Sequence, residues 1–249
     1  MAVFIAVLVG ALVLGALGGL TYLWWYGGYG GPIDWVMHTV RHAPRDRKVN
    51  AKPVVALTFD DGPDPLRTPA LLDALRDLDV KATFFVVGRA VEKHPEIVER
   101  MAAEGHEIGN HTFHHVYLPL HRHRTVEHEL RAADRAIEDA TGIVPTLARP
   151  PWGARRPSTV RAFARLAKKV VLWDVNSYDW KGRPSGEVIE RVMERTKPGS
   201  IILMHEAREN GETTIDIVRR LVPVLRARGY QLATVTTAIG NDNRIASAA

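Results

Sequence analysis

Two adjacent carboxylates in the first third of the chain stand where an apolar run meets a turn. Asp60 and Asp61 follow the run 54–59 and precede Gly62 and Pro63. Adjacent residues on an extended chain point in opposite directions, so one carboxylate can bind a metal while the other handles a proton. A helix cap or an Asx turn is the alternative interpretation of the pair.

Two histidines further along the chain have the spacing of a metal site. His111 and His115 stand at i and i+4, and on a helical turn both imidazoles would share one face. With one carboxylate they would form a two-histidine, one-carboxylate set that leaves coordination positions open for water and substrate. His114 would point elsewhere and is not expected to be a ligand. A structural or solvated histidine pair is the alternative.

Three further residues are candidates for holding an anion or moving a proton. Arg149 opens the rigid turn Arg-Pro-Pro-Trp-Gly, which would place a guanidinium beside an anionic group. His205 closes the apolar run 201–204, so it should be partly buried at the edge of a site, and Asp179 could orient its ring. Each signal is weak alone, because a histidine at a strand end is more often structural than catalytic.

The elements that must position these residues alternate between short and long apolar patterns. Short β-branched and aromatic runs predict strands at 54–59, 83–87, 106–109, 146–149, 170–175, 200–204 and 231–235. Amphipathic patterns between them predict helices at 67–78, 95–103, 125–140, 157–167, 185–195 and 213–228. About seven strand-helix units predict an α/β fold with a parallel sheet and right-handed crossovers. A compact (β/α) barrel smaller than the eightfold one fits this pattern, and an open doubly wound sheet is the alternative.

The candidate residues share one position relative to the predicted strands. Each lies at the carboxyl end of a strand: Asp60 and Asp61 after the first, His111 and His115 after the third, Arg149 at the end of the fourth, Asp179 after the fifth and His205 after the sixth. The carboxyl ends of parallel strands form one face of a barrel, and barrel enzymes build their sites there. The sequence therefore predicts a single site to which five segments contribute.

The N-terminus has a different character from the rest of the chain. Residues 1–33 contain no charged side chain, and the apolar run 2–26 ends in an aromatic cluster. As a helix this run would reach roughly 37 Å, enough to cross a hydrocarbon core of about 30 Å. We therefore expect a transmembrane anchor at 1–26. A cleaved signal peptide, with its site at 16–18, and a buried core helix are the alternatives.

Residues 27–52 are predicted to be a glycine-rich and then basic linker between the anchor and the domain. The positive charges that follow the span would, by the positive-inside rule, keep the C-terminal side in the cytoplasm.

The composition excludes several kinds of site and partner. Cysteine is absent, so a metal site must use His, Asp or Glu, and no disulfide framework exists. The formal net charge of +5 permits an anionic partner without requiring one. Basic residues are dispersed among acidic ones without interleaved aromatics, so no nucleic-acid partner is expected. Nothing in the sequence implies a protein partner.

At this level of detail the chain resembles a known family, the polysaccharide deacetylases of carbohydrate esterase family 4, which share the NodB homology domain. The segments TFDDGP, HTxxH, RPPWG, the stretch ending in Asp179-Trp180, and Leu203-Met204-His205 match the order and spacing of its five motifs. The resemblance covers roughly residues 53–240, which would be the catalytic domain, with 241–249 as a tail. It implies a distorted (β/α) barrel and a divalent metal, usually zinc, with cobalt, nickel or manganese as substitutes.

The resemblance also implies roles for single residues, carried over by position. Asp61, His111 and His115 would be the metal ligands, Asp60 the general base held by Arg149, and His205 the general acid oriented by Asp179. Trp180 and Leu203 would line an acetyl pocket, and the backbone N–H of Trp152 would help to hold the oxyanion. The fourth motif usually begins with Asp, and this chain has Asn176 there; the second acid, Asp179, is retained.

The expected function is a metal-dependent N-deacetylase acting on an N-acetylated glycan, either peptidoglycan or a chitin-like polymer. An O-acetyl esterase or a small-amide hydrolase of the same fold is the alternative, and a non-catalytic glycan-binding module is a remote one. A wall substrate requires the domain to face outward, against the charge rule. We give the substrate more weight, since folded domains after a single span are often translocated whatever their flanking charge.

Overall fold

The computed structural model describes residues 39–206 and 211–240. The predicted anchor at 1–26 and the tail at 241–249 lie outside the described residues. The elements follow one another as β1 Lys48–Val49, β2 Lys52–Asp60, α1 Thr68–Asp77, β3 Thr83–Val86, α2 Gly88–Lys93, α3 Pro95–Ala103, β4 Glu107–Asn110, α4 His123–Thr141, β5 Leu147–Ala148, α5 Pro157–Arg165, β6 Lys169–Val170, β7 Val175–Asn176, α6 Ser185–Arg195, β8 Ile201–His205, α7 Gly211–Ala227, β9 Gln231–Leu232 and α8 Val235–Ile239.

The strands form one curled sheet, in the order β6-β5-β4-β3-β2-β8-β7. Every neighbouring pair in this order is parallel. The long central strand β2 also pairs with β9 in parallel and with β1 in antiparallel fashion. The result is a half-barrel with helices, which agrees with the predicted distorted (β/α) barrel and with its parallel sheet.

Strand β2 shows why the sheet is buried on both faces. Val55, Leu57 and Phe59 belong to a cluster that also contains buried residues of α1, α3, α6 and α7. Val54 and Ala56, on the opposite face, belong to a second cluster inside the curled sheet. Because side chains alternate along a strand, Asp60 has the same parity as Val54 and Ala56 and therefore lies on the inner face.

One predicted strand is broken in the structure. The run 170–175 was expected to be continuous, but it contributes β6 and β7 to opposite edges of the sheet. The backbone between them is held by a side chain: Arg149 donates from Nε to the carbonyl of Val171 at 3.1 Å and from Nη2 to that of Leu172 at 2.9 Å. These carbonyls are therefore bound to a guanidinium, and residues 172–174 belong to no strand.

Part of the expected linker contacts the barrel. Val40 pairs with Val171, and His42 pairs with Ser200 immediately before β8. Arg45 forms an ion pair with Asp174 at 2.9 Å. From His42 onward this segment lies at the amino end of the central strands, opposite the face predicted to carry the site.

The remaining differences concern short elements. Helix α2 was not predicted, and the run 231–235 supplies only the two residues of β9 before α8 begins. None of the helices within 39–206 and 211–240 is long and apolar enough to cross a membrane.

Candidate active site

A cavity of about 270 Å³ opens at the carboxyl end of the sheet. It is lined by residues from six of the strand ends and the loops after them: Asp60, Asp61, His111, His115, Trp152, Trp173, Asn176, Tyr178, Trp180, Leu203 and His205. Eight of the ten residues expected at the site line this cavity. The other two, Arg149 and Asp179, lie behind it and bond to Asp60 and His205. The structure therefore brings the predicted residues together.

Three side chains at the floor of the cavity could hold a metal ion. The Oδ1 atom of Asp61 lies 3.1 Å from Nε2 of His115 and 3.5 Å from Nε2 of His111. One ligand atom from each residue lies within 4.8 Å of the others. His111 donates from Nδ1 to the carbonyl of Arg149 at 2.7 Å, which leaves Nε2 directed at the cluster. The donor set suits a divalent cation of the zinc type.

The electrostatics of this cluster favour an ionised Asp61, which a bound cation would stabilise further, and a proton on His111, which a bound cation would displace. Burial alone would raise the pKa of Asp61, but hydrogen bonds from His111 and His115 hold it well below its usual range. Burial also opposes the charged form of His111, yet the charge of Asp60 and the hydrogen bond with Asp61 raise its pKa. The site is thus built from groups whose protonation depends on one another.

The prediction that the two histidines share a helical turn is wrong. They lie on an irregular loop after β4, in which Thr112 has φ 67° and His115 has φ 57°. Left-handed conformations of non-glycine residues cost about 1–3 kcal/mol each and persist only where the surroundings impose them. The i, i+4 spacing nevertheless brings the rings together, with centroids 5.0 Å apart.

Asp60 lies in the cavity beside the Asp61-His111-His115 cluster and is bound to a buried arginine. Nη1 of Arg149 donates to Oδ1 of Asp60 at 2.6 Å and to Oγ1 of Thr58 at 2.9 Å. The guanidinium is fully buried and stacks over the ring of Phe85 at 4.1 Å. Burial lowers the pKa of Arg149, and the charge of Asp60 opposes that shift. The pair leaves Oδ2 of Asp60 available on the cavity side, 3.8 Å from Nε2 of His111.

A histidine–aspartate pair contributes another part of the cavity wall. Oδ1 of Asp179 accepts a hydrogen bond from Nδ1 of His205 at 3.0 Å, and Oδ2 accepts the backbone N–H of His205 at 2.7 Å. Ser177 and Thr214 donate to the same carboxylate at 2.9 Å and 3.0 Å. Since the carboxylate accepts this hydrogen bond, Nδ1 carries the proton, and Nε2 is the other nitrogen of the ring.

Aromatic rings border the mouth of the cavity. Trp152, with φ 56°, is 57% exposed, and its ring lies 4.5 Å from that of His115. Trp180 contacts His205 edge to face at 4.6 Å. Leu203 is buried at the cavity wall, as expected for a residue that limits its size. Tyr178 and Trp173 also line the cavity and were not predicted. Both residues lie close to predicted strand ends, and this position was the feature of the sequence that could have identified them.

A buried glutamate beside the cavity was also missed. Glu206 directly follows His205, is 1% exposed, and accepts a hydrogen bond from Oγ1 of Thr68 at 2.5 Å. Burial raises its pKa to about 8, so the carboxyl is mostly protonated at neutral pH. A methyl group at Gly62 would overlap its Oε1 atom. The sequence shows only a glutamate after a strand, and the burial of Glu206 is visible only in the structure.

The fold and the site define a class of protein. A curled parallel sheet with an Asp-His-His cluster, an arginine-held carboxylate and a His-Asp pair at its carboxyl ends has the organisation of a barrel hydrolase. The chain belongs to the polysaccharide deacetylase family, whose model matches residues 47–171. This family is the one that its motifs resemble.

Relatives and solved structures agree with this assignment. Over 202 residues the chain is 33% identical to the peptidoglycan-N-acetylglucosamine deacetylase PgdA of Listeria monocytogenes, covering 81% of this chain and 42% of PgdA, so it spans less than half of that relative. Over 195 residues it is 35% identical to the chitooligosaccharide deacetylase of Sinorhizobium fredii, covering 74% and 91% of the two chains. The crystal structure of the Bc1960 peptidoglycan N-acetylglucosamine deacetylase, in complex with 4-naphthalen-1-yl-N-oxidanyl-benzamide, superposes with a TM-score of 0.78 at 32% identity, covering 84% of this chain and 97% of that one.

Proposed function

We propose that this chain is a metal-dependent N-deacetylase that removes acetyl groups from N-acetylglucosamine units of peptidoglycan or a chitin-like polymer. One observation carries the proposal: the Asp61-His111-His115 cluster lies in the same cavity as Asp60 and His205. Relatives named for peptidoglycan and for chitooligosaccharides support the substrate class. Asp61, His111 and His115 would hold the metal, with zinc the first candidate and cobalt, nickel or manganese as substitutes.

The proposed chemistry divides between two proton-transfer groups. When bound, the metal would lower the pKa of a coordinated water and polarise the acetyl carbonyl. Asp60 would accept the proton of the attacking water, and Arg149 would hold the Asp60 carboxylate in place. His205 would donate a proton from Nε2 to the departing amine nitrogen, because amines leave poorly unless protonated. Asp179 would hold the ring and stabilise its charged form.

The cavity walls would provide recognition. Trp180 and Leu203 would enclose the acetyl methyl group, and the backbone N–H of Trp152 would donate to the oxyanion. One such donor typically contributes a factor of ~10²–10³ in rate. Asn176 stands where the family usually has Asp, and its side chain accepts the N–H of Tyr178 at 3.0 Å. That contact is local, so we expect the substitution to leave Asp179 and His205 in place.

The test is acetate release from an N-acetylglucosamine oligomer and from peptidoglycan, with zinc and with a chelator. Asp60→Asn should abolish release while zinc content stays unchanged, and Asp61→Asn should lose both. Asp77→Asn is the matched control, because Asp77 is exposed on α1 and pairs with Arg219 at 3.4 Å. Release of acetate from O-acetyl groups alone would favour the esterase. No release with zinc bound would favour a small-amide hydrolase, and neither release nor zinc would leave a glycan-binding module.

We also propose that residues 1–26 anchor the chain in a membrane and that the domain faces outward. The sequence carries this proposal through its charge-free apolar run. A substrate in the cell wall would require the domain to face outward. Protease added to spheroplasts should digest the domain, and complete protection would contradict the orientation.

A further inference from the structure

The loop that carries the second histidine of the cluster has an unusual set of hydrogen bonds. Its four consecutive backbone N–H groups, from Thr112 to His115, all donate to side-chain oxygens. Thr112 donates to Oδ1 of Asn110 at 2.8 Å, and His115 donates to Oγ1 of Thr112 at 3.1 Å. The two central groups, of Phe113 and His114, donate to Oε2 of Glu129 at 3.1 Å and 2.8 Å.

Glu129 differs from the other two acceptors because it comes from outside the loop. It lies on α4, is 5% exposed, and its second oxygen, Oε1, contacts Nδ1 of His114 at 2.8 Å. A single carboxylate thus takes three hydrogen bonds from two adjacent residues. The two backbone N–H groups share one oxygen, Oε2, so Glu129 ties two adjacent peptide units to helix α4.

The same helix also holds the beginning of the loop. Nδ2 of Asn110 donates to the carbonyl of Leu130 and to Oδ1 of Asp134, both at 2.8 Å. Helix α4 therefore contacts the loop at its start, through Asn110, and at its centre, through Glu129. Between them lies Thr112, which is in the left-handed region, and His115 beyond them is as well. Such a path needs contacts from outside the loop to impose it.

From these contacts we infer that Glu129 is a positioning residue of the metal centre. It holds the backbone of 113–114 in the shape that directs Nε2 of His115 at Asp61, 3.1 Å away. This inference rests on the proposed metal site, and it assigns a role to a residue that neither lines the cavity nor bonds to a predicted ligand's side chain. Residues behind a metal's ligands typically change its affinity 10–100-fold when they are replaced.

The experiment compares metal affinity in variants of the full chain. Glu129→Met keeps the length of the side chain but removes both acceptor oxygens, so the backbone N–H groups of Phe113 and His114 lose the oxygen that they share. Its affinity for Zn²⁺, measured by competition with a chromophoric chelator, should fall about 10–100-fold. The absorption spectrum of bound Co²⁺ should also change, because the spectrum reports ligand geometry, which a general loss of stability does not alter.

Two controls separate the backbone contacts from other effects. Glu127→Gln changes the same helix but removes only an ion pair with Arg165, and it should bind Zn²⁺ within about twofold of the wild type. His114→Ala leaves both backbone donors on Glu129 and should have a smaller effect than Glu129→Met. If Glu129→Met does not fold, Glu129→Asp, which keeps the carboxylate but is one methylene shorter, replaces it in the comparison.

The outcomes distinguish this inference from the proposed function. Wild-type Zn²⁺ affinity and an unchanged Co²⁺ spectrum in the Glu129 variant would overturn the positioning role while the deacetylase proposal stood. A wild-type chain that binds no metal would refute the proposed metal site itself. Weakened binding with a shifted spectrum, together with normal binding in Glu127→Gln, would support the inference whatever glycan the enzyme uses.

Discussion

Replacing Arg149 by methionine tests how much the buried ion pair between this guanidinium and Asp60 stabilises the fold. The arginine is fully buried, and it donates to Asp60, Thr58, Val171 and Leu172 over distances of 2.6–3.1 Å. Methionine is similar in length but donates nothing. Asp60, 4% exposed, would then be an uncompensated buried charge. Removing one partner of such a pair typically costs about 3–5 kcal/mol.

The assay is urea unfolding of the metal-free chain at neutral pH. With an m-value of about 3 kcal/mol per molar urea, the expected loss moves the midpoint down by about 1–1.7 M. The matched control is Arg165→Met, whose partner Glu127 lies at the surface, and its effect should stay within about 0.5 kcal/mol. Deacetylation should be lost in Arg149→Met and kept in the control.

The double variant Arg149→Met with Asp60→Asn identifies the cause. If the cost comes from the stranded charge, removing that charge should recover part of it, with a coupling energy of about 1–3 kcal/mol. Additive losses would show that the two side chains are independent. A change of less than about 1 kcal/mol in Arg149→Met alone would refute the reasoning, because it would mean that Asp60 is not held by this pair.

Three further predictions concern residues around the cavity. Trp152→Ala should raise KM about 2–10-fold with the urea midpoint nearly unchanged, because the ring is 57% exposed and is free to stack on a sugar; an unchanged KM would mean that the ring does not contact substrate. The carboxyl of Glu206 has a folded-state pKa of about 8 against an ordinary 4.5. The folded state therefore keeps a proton that the unfolded chain releases, and the free energy of unfolding should fall as the pH rises from 5 to 8. In urea unfolding with chelator, this fall should be roughly 3–5 kcal/mol larger in the wild type than in Glu206→Gln. Equal falls in the two proteins would contradict the raised pKa. Gly62→Ala should destabilise the chain by about 1–3 kcal/mol in the same assay, since the added methyl overlaps Glu206, and Gly186→Ala, which meets only the end of the Arg220 side chain at 3.8 Å, is its control.

Much of the architecture is contained in local sequence patterns. Buried parallel strands appear as short apolar runs, and the helices between them show an amphipathic repeat, so the strand-helix alternation and the barrel class follow from periodicity. The placement of the candidate residues follows as well. Side chains just after parallel strands must meet at one face, and the cavity at that face contains Asp61, His111 and His205.

Other features depend on contacts between residues far apart in the chain. The run 170–175 has the composition of one strand, but Arg149, 22 residues from Val171, binds the carbonyls that would continue it. The histidine pair has helical spacing, yet the residues between the two histidines form no helix. Their backbone N–H groups donate to side-chain oxygens of Asn110 and Glu129 instead. Hydrogen bonds of this kind leave no periodic signature, because each requires a single acceptor at a single point in space.

The sequence by itself therefore determined the order of the elements, the face on which the site lies and the residue types that can form it. Only the tertiary structure decided which partner each of those residues has. It showed that Arg149 joins Asp60 to a broken strand, that Glu129 holds the loop of His115, and that Glu206 is buried as a neutral acid. The physical reason is that burial and hydrogen bonding depend on three-dimensional neighbours, whereas apolar periodicity depends only on the local chain.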